Sequence, residues 1–256
     1  MIGRSERVTF ANARGELLAA RLDLPVGAPR ALALFAHCFT CSKDVFAAAR
    51  LSHGLAERGL AVLRFDFTGL GASEGEFANT NFSSNLEDLV AAADFLRKEY
   101  QAPKILVGHS LGGAAVLAAA HRVPEAVAVA TIAAPADPTN VGHLFASARA
   151  EIEAQGEAEV TIAGRSFRVQ KQFLEGIAGH RLKDHIARLG KALIIFHAPR
   201  DEVVGIENAS QIFAAARHPK SFVSLDDADH LLTRRADAIY VADVAAICQG
   251  PRRCGP

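Results

Sequence analysis

Short apolar runs recur along the chain at intervals typical of buried strands. They occupy residues 31–36, 60–65, 104–107, 127–132, 192–196 and 221–225. The runs are rich in Val, Ile, Leu and Phe, as expected for strands that are covered on both faces of a parallel sheet. Residues 6–24 add two strands joined by a turn at residues 12–15. The pattern therefore predicts a central, mostly parallel sheet.

Helical patterns separate these runs. Residues 45–58 carry apolar side chains at helical spacing and stop at a glycine suited to a helix C-cap. Ser84 and Glu87 have the spacing of a capping box, which predicts a helix over residues 86–100. The alanine-rich residues 114–122 predict another helix. Alternating strands and helices favour an α/β fold, a doubly wound sheet with helices on both faces and right-handed crossovers.

One segment, residues 138–189, is too long for a simple crossover helix. It predicts a helix over 141–154, a hairpin with strands at 159–162 and 166–169, and one or two further helices. We interpret it as a cap inserted over one end of the sheet. The alternative is an elaborate crossover without a functional role. The predicted organisation is a core of residues 1–137 and 190–247, the cap at 138–189 and a tail at 248–256.

Composition narrows the classes of partner. The chain has 256 residues, half of them hydrophobic, with 28 Lys and Arg against 28 Asp and Glu. A protein that binds nucleic acid needs a basic face, so the zero net charge disfavours a nucleic-acid partner. It also disfavours an electrostatic membrane anchor. No apolar run approaches the roughly 18 residues of a membrane span, and the N-terminus lacks the apolar centre of a signal peptide. We therefore predict a cytoplasmic protein that binds neither nucleic acid nor membrane.

The strongest chemical motif is Gly108-His109-Ser110-Leu111-Gly112. A predicted strand precedes this Gly-x-Ser-x-Gly sequence and an alanine-rich helix follows it. That context predicts a nucleophile elbow, in which a sharp turn exposes the Ser110 hydroxyl at the carboxyl end of the sheet. The helix N-terminus behind the serine favours developing negative charge.

A serine nucleophile needs a base and a group that orients the base. Asp201 and His230 each follow a predicted strand and occur in the order Ser, acid, His that this kind of elbow uses. His230 would accept the Ser110 proton, and Asp201 would hold the His230 tautomer. Asp137 and Glu202 remain alternatives for the acid.

Other motifs are weaker. Cys38-x-x-Cys41 resembles a thiol-redox pair, but its first cysteine follows a strand and precedes the predicted helix by several residues. Cys38 and His109 are substrate-binding candidates, although His109 is predicted to pack away from the site. Among the motifs of the sequence we find no metal-binding spacing and no complete dinucleotide fingerprint, so we predict no cofactor and no metal.

Three stretches, "FAHCFTCSKD", "RFDFTGLGASEGEFANTNFSSN" and "SFVSLDDADHLL", together with "GHSLGG", resemble the alpha/beta-hydrolase superfamily. More narrowly, residues 5–245 resemble the hydrolase part of bifunctional alpha/beta-hydrolase/OsmC-family proteins. The resemblance implies the alpha/beta-hydrolase fold, a lid-like inserted segment, a small-molecule acyl substrate and a candidate OsmC-like partner domain or protein.

The resemblance also implies roles for single residues. Ser110, Asp201 and His230 would form the catalytic triad. The backbone N–H groups of Leu111 and Phe39 would form the oxyanion hole. In this sequence Cys38 stands where the family usually has glycine, and its side chain is expected to narrow the site or to alter the loop.

The leading hypothesis is a carboxylesterase-like serine hydrolase that cleaves small or medium acyl esters through an acyl-enzyme. Thioesterase and peptidase activity stay open within it. The alternatives are a thiol-redox or peroxide-handling protein that uses Cys38 and Cys41, and a catalytically silent binding scaffold. The intact order of Ser110, Asp201 and His230 argues against the scaffold.

Overall fold

The structure of the chain is a computed structural model that describes residues 3–38, 41–139, 147–162, 165–178 and 181–247. Ten strands are found in these residues. In chain order they are β1 (Arg4–Ala11), β2 (Leu17–Leu24), β3 (Ala31–Ala36), β4 (Leu60–Phe65), β5 (Ile105–His109), β6 (Ala128–Ile132), β7 (Glu157–Ile162), β8 (Arg165–Gln170), β9 (Ala192–His197) and β10 (Lys220–Ser224).

Eight strands form one sheet in the order β1-β2-β4-β3-β5-β6-β9-β10. The first two pairings, β1 with β2 and β2 with β4, are antiparallel, and the pairings from β4 to β10 are parallel. Parallel strands point their carboxyl ends to the same edge of the sheet, where ligands bind in open α/β folds. β5 lies near the middle of this sheet, so the residue that follows it reaches the centre of that edge.

Eight α-helices accompany the strands in the described residues. They are α1 (Phe46–Glu57), α2 (Phe82–Glu99), α3 (Leu111–Ala119), α4 (Arg149–Gln155), α5 (Lys171–Ala178), α6 (Leu182–Ala187), α7 (Glu207–Ala215) and α8 (Arg235–Ala245).

Two hydrophobic clusters cover the two faces of the sheet. Along β3, Leu34 belongs to the cluster that α2 and α3 share, whereas its neighbours Ala33 and Phe35 belong to the cluster of α1 and α8. This alternation follows from the two-residue period of a strand. The predicted sheet with helices on both faces is therefore confirmed.

The start of α2 differs from the prediction. The capping box joins Asn81 and Ser84: the Ser84 N–H donates to Asn81 Oδ1 at 2.9 Å, and the Asn81 N–H donates to Ser84 Oγ at 2.9 Å. The prediction that Ser84 and Glu87 form this box was wrong, and α2 begins four residues earlier, at Phe82. The side chain of Glu87 instead pairs with Arg122. Asparagine is as good an N-cap as serine, so the local pattern fits both registers.

The segment between β6 and β9 contains α4, the antiparallel hairpin β7–β8, α5 and α6. The predicted hairpin is present. The N-terminal part of the predicted helix over 141–154 lies outside the described residues. Phe167 and Phe173 of this segment place their rings 5.3 and 6.3 Å from the ring of Phe77, which begins a short 3₁₀ helix (Phe77–Asn79) before α2. Its role as a cap stays a prediction, as do the domain boundaries.

Among the described helices, none has the length and apolar character needed to cross a bilayer. The cytoplasmic location predicted from the sequence stays a prediction.

Candidate active site

Ser110 occupies a strained turn between β5 and α3, with φ 55° and ψ −125°. Such a conformation is costly for a residue with a side chain and is typical of functional sites. Two glycines make the turn sterically possible. A Cβ on Gly108 would lie 2.3 Å from the Gly112 carbonyl oxygen, and one on Gly112 would lie 2.4 Å from the carbonyl oxygens of Ala36 and His37. The predicted elbow geometry is therefore present.

A chain of hydrogen bonds links Ser110, His230 and Asp201. Ser110 Oγ lies 3.0 Å from His230 Nε2, and His230 Nδ1 lies 2.8 Å from Asp201 Oδ2. The carboxylate can only accept, so Nδ1 carries the hydrogen and Nε2 is left to accept the Ser110 hydroxyl proton. All three residues are nearly buried, with 5%, 9% and 8% of their surface exposed.

Asp201 is fixed by main-chain donors as well as by His230. The N–H groups of Val203 and Val204 both donate to Asp201 Oδ1 at 2.9 Å. Burial raises the pKa of Asp201, but the hydrogen bond from His230, its charge and these two N–H groups outweigh burial. The pKa of Asp201 is therefore lower than that of an ordinary aspartate, and the group stays ionised beside His230.

The competing acids lie elsewhere. Asp137 accepts hydrogen bonds from the N–H and the hydroxyl of Thr139, at 2.8 and 2.6 Å, in its own turn. Glu202 is exposed. The structure thus brings Asp201, of the three candidates considered, into contact with His230.

Of the two predicted oxyanion donors, Leu111 and Phe39, the structure describes Leu111. Leu111 is the first residue of α3, where main-chain N–H groups have no partner inside the helix. Phe39 lies outside the described residues. Its neighbour Cys38 is 4% exposed and forms a disulfide bond with Cys41. This disulfide was not predicted from the sequence, although the Cys-x-x-Cys spacing was a signal for it.

A buried ionic network lies next to the segment that carries Cys38 and Cys41, and it was not predicted from the sequence. Asp66, fully buried, accepts from Lys43 N at 2.6 Å, from Lys43 Nζ at 2.7 Å and from Ala72 N at 3.0 Å. Arg64 donates to the carbonyl oxygen of Lys43 and pairs with Asp23 at 2.8 Å. The network ties the segment after β3 to the segment after β4. The sequence did contain a signal for this network. In "RFDF" two charged residues alternate with phenylalanines at the end of a buried strand, and buried charges need partners.

Three buried histidines lie at the carboxyl ends of β3, β5 and β9. Each donates a hydrogen bond to a main-chain carbonyl at this carboxyl edge of the sheet. His37 Nδ1 donates to Cys38 O, His109 Nε2 to His230 O and His197 Nε2 to Val204 O, each at 2.7 Å. Burial is the main cause that lowers the pKa of all three side chains, and it takes the pKa of His109 to about 3. These histidines are therefore neutral at physiological pH. None of these three contacts was predicted from the sequence.

Two cavities flank the Ser110–His230 pair. The first, of about 480 Å³, is lined by His230 and by polar and charged residues that include Arg200, Asp227 and Asp229. The second is a narrow crevice beside Leu111 with a free volume of only about 10 Å³. Its mainly apolar lining consists of Cys38, Phe67, Leu70, Phe82 and Ala115, next to His37, Asn85 and Gly112. A larger cavity of about 960 Å³ lies between β1 and α2, and none of the three triad candidates lines it. Size alone therefore does not identify the site.

No group of three or more His, Cys, Asp or Glu side chains that could hold a metal ion occurs in the ranges that the structure describes. The arrangement of Ser110, His230 and Asp201 has the geometry that a serine nucleophile, its base and an orienting carboxylate require.

Comparison with known proteins gives consistent matches. The family model described as serine aminopeptidase, S33, matches residues 27–155. The chain is 31% identical over 188 residues to mouse palmitoyl-protein thioesterase ABHD10, mitochondrial, a match that covers 70% of this chain and 62% of the mouse protein. The chain thus spans about three fifths of the length of this curated relative.

Solved structures extend the comparison over the whole chain. The esterase domain of a Rhodothermus marinus protein is 52% identical, with a TM-score of 0.80 and coverage of 99% of this chain and 100% of that one. Est1E from Butyrivibrio proteoclasticus with bound ferulic acid is 21% identical, with a TM-score of 0.76 over 93% and 96% of the two chains, and shows the shared fold alone. The predicted alpha/beta-hydrolase fold is confirmed. The chain belongs to the serine aminopeptidase S33 family of the alpha/beta-hydrolase superfamily.

Proposed function

We propose that this protein cleaves small or medium acyl esters through an acyl-enzyme on Ser110. The observation that carries the proposal is the hydrogen-bonded chain from Ser110 Oγ through His230 to Asp201, with distances of 3.0 and 2.8 Å. A serine hydroxyl is a weak nucleophile unless a base accepts its proton, and His230 is placed to be that base.

The reaction then follows from the positions of the protons. His230 Nε2 accepts the Ser110 proton as Oγ attacks the ester carbonyl carbon. Asp201 stabilises the resulting imidazolium, and the Leu111 N–H donates to the oxyanion, with Phe39 as the expected second donor. His230 then protonates the alkoxide as it leaves. A water molecule repeats the sequence on the acyl-enzyme and releases the acid.

The two cavities support an assignment of the substrate's halves. The apolar crevice adjoins Leu111 and Cys38, on the oxyanion side. Its apolar lining suits a hydrocarbon group, but its free volume of about 10 Å³ admits an acyl group only if the surrounding side chains move. The more polar cavity includes His230, which must reach the leaving group. We therefore assign the acyl group to the crevice and the alcohol to the polar cavity. Because so little of the crevice is free, a short acyl chain needs less rearrangement of its lining than a long one.

A thioester is the second candidate substrate. The curated mouse relative is named a palmitoyl-protein thioesterase, and the chemistry of Ser110 attack on an ester and on a thioester is the same. A long acyl chain would have to enlarge the crevice or leave it. The association with an OsmC-like domain rests on the sequence resemblance alone.

Kinetics on p-nitrophenyl esters of two to sixteen carbons test the proposal. We expect Ser110→Ala to lose at least about 10³-fold in kcat, and Ser210→Ala, an exposed serine on α7, to match the parent. We expect turnover to peak at short chains. Turnover by Ser110→Ala equal to that of the parent would refute the proposal, and a maximum at sixteen carbons would refute the acyl assignment.

The disulfide between Cys38 and Cys41 favours one competitor, thiol-redox activity. A reductant that donates two electrons and two protons would open it to two thiols. Peroxide consumption supported by a dithiol would therefore establish this function if Cys38→Ser abolishes it and Ser110→Ala does not. The esterase proposal expects the opposite dependence.

A further inference from the structure

His109 connects the nucleophile to the loop that carries the base. It is the last residue of β5, directly before Ser110, and its Nε2 donates to the main-chain carbonyl of His230, 121 residues further along the chain. The His109 side chain is buried, with 4% of the residue's surface exposed, so its environment is protein rather than solvent. The contact fixes the main chain of His230, whereas Asp201 fixes its ring.

The charge state of His109 matters as much as its position. A carbonyl oxygen only accepts hydrogen bonds, so Nε2 must carry the hydrogen. Burial first, and then the proximity of His230, lower the pKa of His109 to about 3. The two rings are 5.3 Å apart, and a cation at that distance would oppose the proton that His230 must accept. A neutral donor avoids this repulsion.

Other contacts hold the neighbouring residues of the loop. Asp229 accepts from the Thr233 N–H at 2.9 Å, and the Leu232 N–H donates to Asp229 O at 3.1 Å. These bonds shape the turn around His230 but do not reach across to β5. The bond from His109 does, and it therefore sets the distance between the strand that presents Ser110 and the loop that presents His230.

We propose that His109 is a positioning residue for His230, holding the main chain of His230 so that His230 Nε2 faces Ser110. This inference rests on the proposed roles of Ser110 and His230. Misplacement of a catalytic group by about 1 Å can cost about 100-fold in rate, so loss of the bond should lower kcat. Substrate binding should change little, because His109 is buried beneath the site.

Three substitutions at one position test this: His109→Leu, His109→Asn and His109→Gln. The glutamine amide nitrogen reaches about as far as Nε2, whereas the asparagine amide stops about where Nδ1 lies. With active sites titrated by a fluorophosphonate, we expect Leu and Asn to lower kcat per site by about 10- to 100-fold at a KM within about twofold. We expect Gln to stay within about threefold of the parent.

A merely structural role would lower the melting temperature and the yield of active sites without changing kcat per site. His121 provides the matched control. Its Nδ1 donates to Ala118 O with a distance of 2.9 Å, and this bond does not involve the triad. His121→Asn should therefore leave kcat unchanged. If the leucine variant does not fold, the Asn and Gln pair decides. Equal kcat in these two variants overturns the inference. Turnover by Ser110→Ala, measured in parallel, would instead overturn the proposed function.

Discussion

The carboxyl edge of the main sheet and the segment between β6 and β9 are held by different kinds of contact. At the edge, buried side chains donate to or accept from fixed main-chain atoms, as His109 does with His230 and Asp201 does with Val203 and Val204. The segment instead packs with aromatic rings, such as Phe167 on Phe77. Hydrogen bonds are directional and fix atoms closely, whereas apolar contact is not directional and tolerates sliding.

This difference leads us to expect different roles for the two regions. The edge fixes the distances among Ser110, His230 and Asp201, on which proton transfer depends. The segment adjoins the loop before α2, and Phe82 at the start of α2 lines the apolar crevice. Changes in the segment should therefore alter which acyl chains fit while leaving the chemistry intact. The predictions below test the two regions separately.

The largest effect is expected at the edge itself. Asp201→Asn should lower kcat by about 10⁴-fold, because the amide stabilises the wrong His230 tautomer and cannot stabilise the imidazolium. Steady-state kinetics on a short p-nitrophenyl ester measure this loss. Asp137→Asn is the matched control and should stay within about twofold of the parent. A crippled Asp137→Asn beside an active Asp201→Asn would show that the acid is misassigned.

Lowering the pH should reduce the free energy of unfolding, because the histidines buried at the carboxyl edge of the sheet are neutral in the folded protein. The pKa of His109 falls from 6.5 to about 3 on folding, so between these values the unfolded chain binds a proton that the folded chain does not. Stability from this group is therefore complete above about pH 6.5 and is lost as the pH falls, by about 2 kcal/mol between pH 7 and pH 5. The pKa values of His37 and His197 are lowered in the same direction.

Urea unfolding at pH 7 and pH 5 checks this expectation. His109→Gln carries no titrating group at that position, so it should lose about 2 kcal/mol less than the parent on acidification. His121→Asn should keep the full pH dependence caused by His109. Equal losses in the parent and in His109→Gln would contradict the account of a buried neutral histidine.

The smallest effect is expected in the segment. Phe167→Ala removes one member of an edge-on aromatic pair, which is worth about 1 kcal/mol. The unfolding free energy should fall by about 1 to 2 kcal/mol, because the half-buried ring also loses apolar contact, and kcat on an acetyl ester should stay within about twofold. The preference among longer esters should shift. Phe46→Ala, which removes a ring that is 78% exposed, is the control. A tenfold loss of kcat on the acetyl ester would show that the segment supports the triad directly.

Sequence reasoning recovered the parts of this architecture that local patterns encode. The strands at Ala31–Ala36 and Leu60–Phe65 match the predicted runs because each is a continuous buried stretch. The elbow around Ser110 was predictable because its steric demand selects glycine at Gly108 and Gly112. The N-terminus of α2 was misplaced because two overlapping sequences satisfy the same capping rule.

The remaining features depend on distant residues. The bond from His109 to His230 and the pairing of Lys43 with Asp66 join residues that only the folded sheet brings together. A histidine that precedes the nucleophile gives no local sign of which carbonyl it meets. For this reason the sequence predicted His109 to pack away from the site, whereas the structure gives it a specific partner.

Mass spectrometry of the acylated protein tests the central claim most directly. Brief incubation with p-nitrophenyl butyrate, followed by acid quenching, traps an acyl-enzyme if one forms. The account predicts a single butyryl adduct, mapped by peptide fragmentation to Ser110, present in Asp137→Asn and absent in Ser110→Ala. Ester turnover with the adduct on another residue, or turnover that survives in Ser110→Ala, would contradict it.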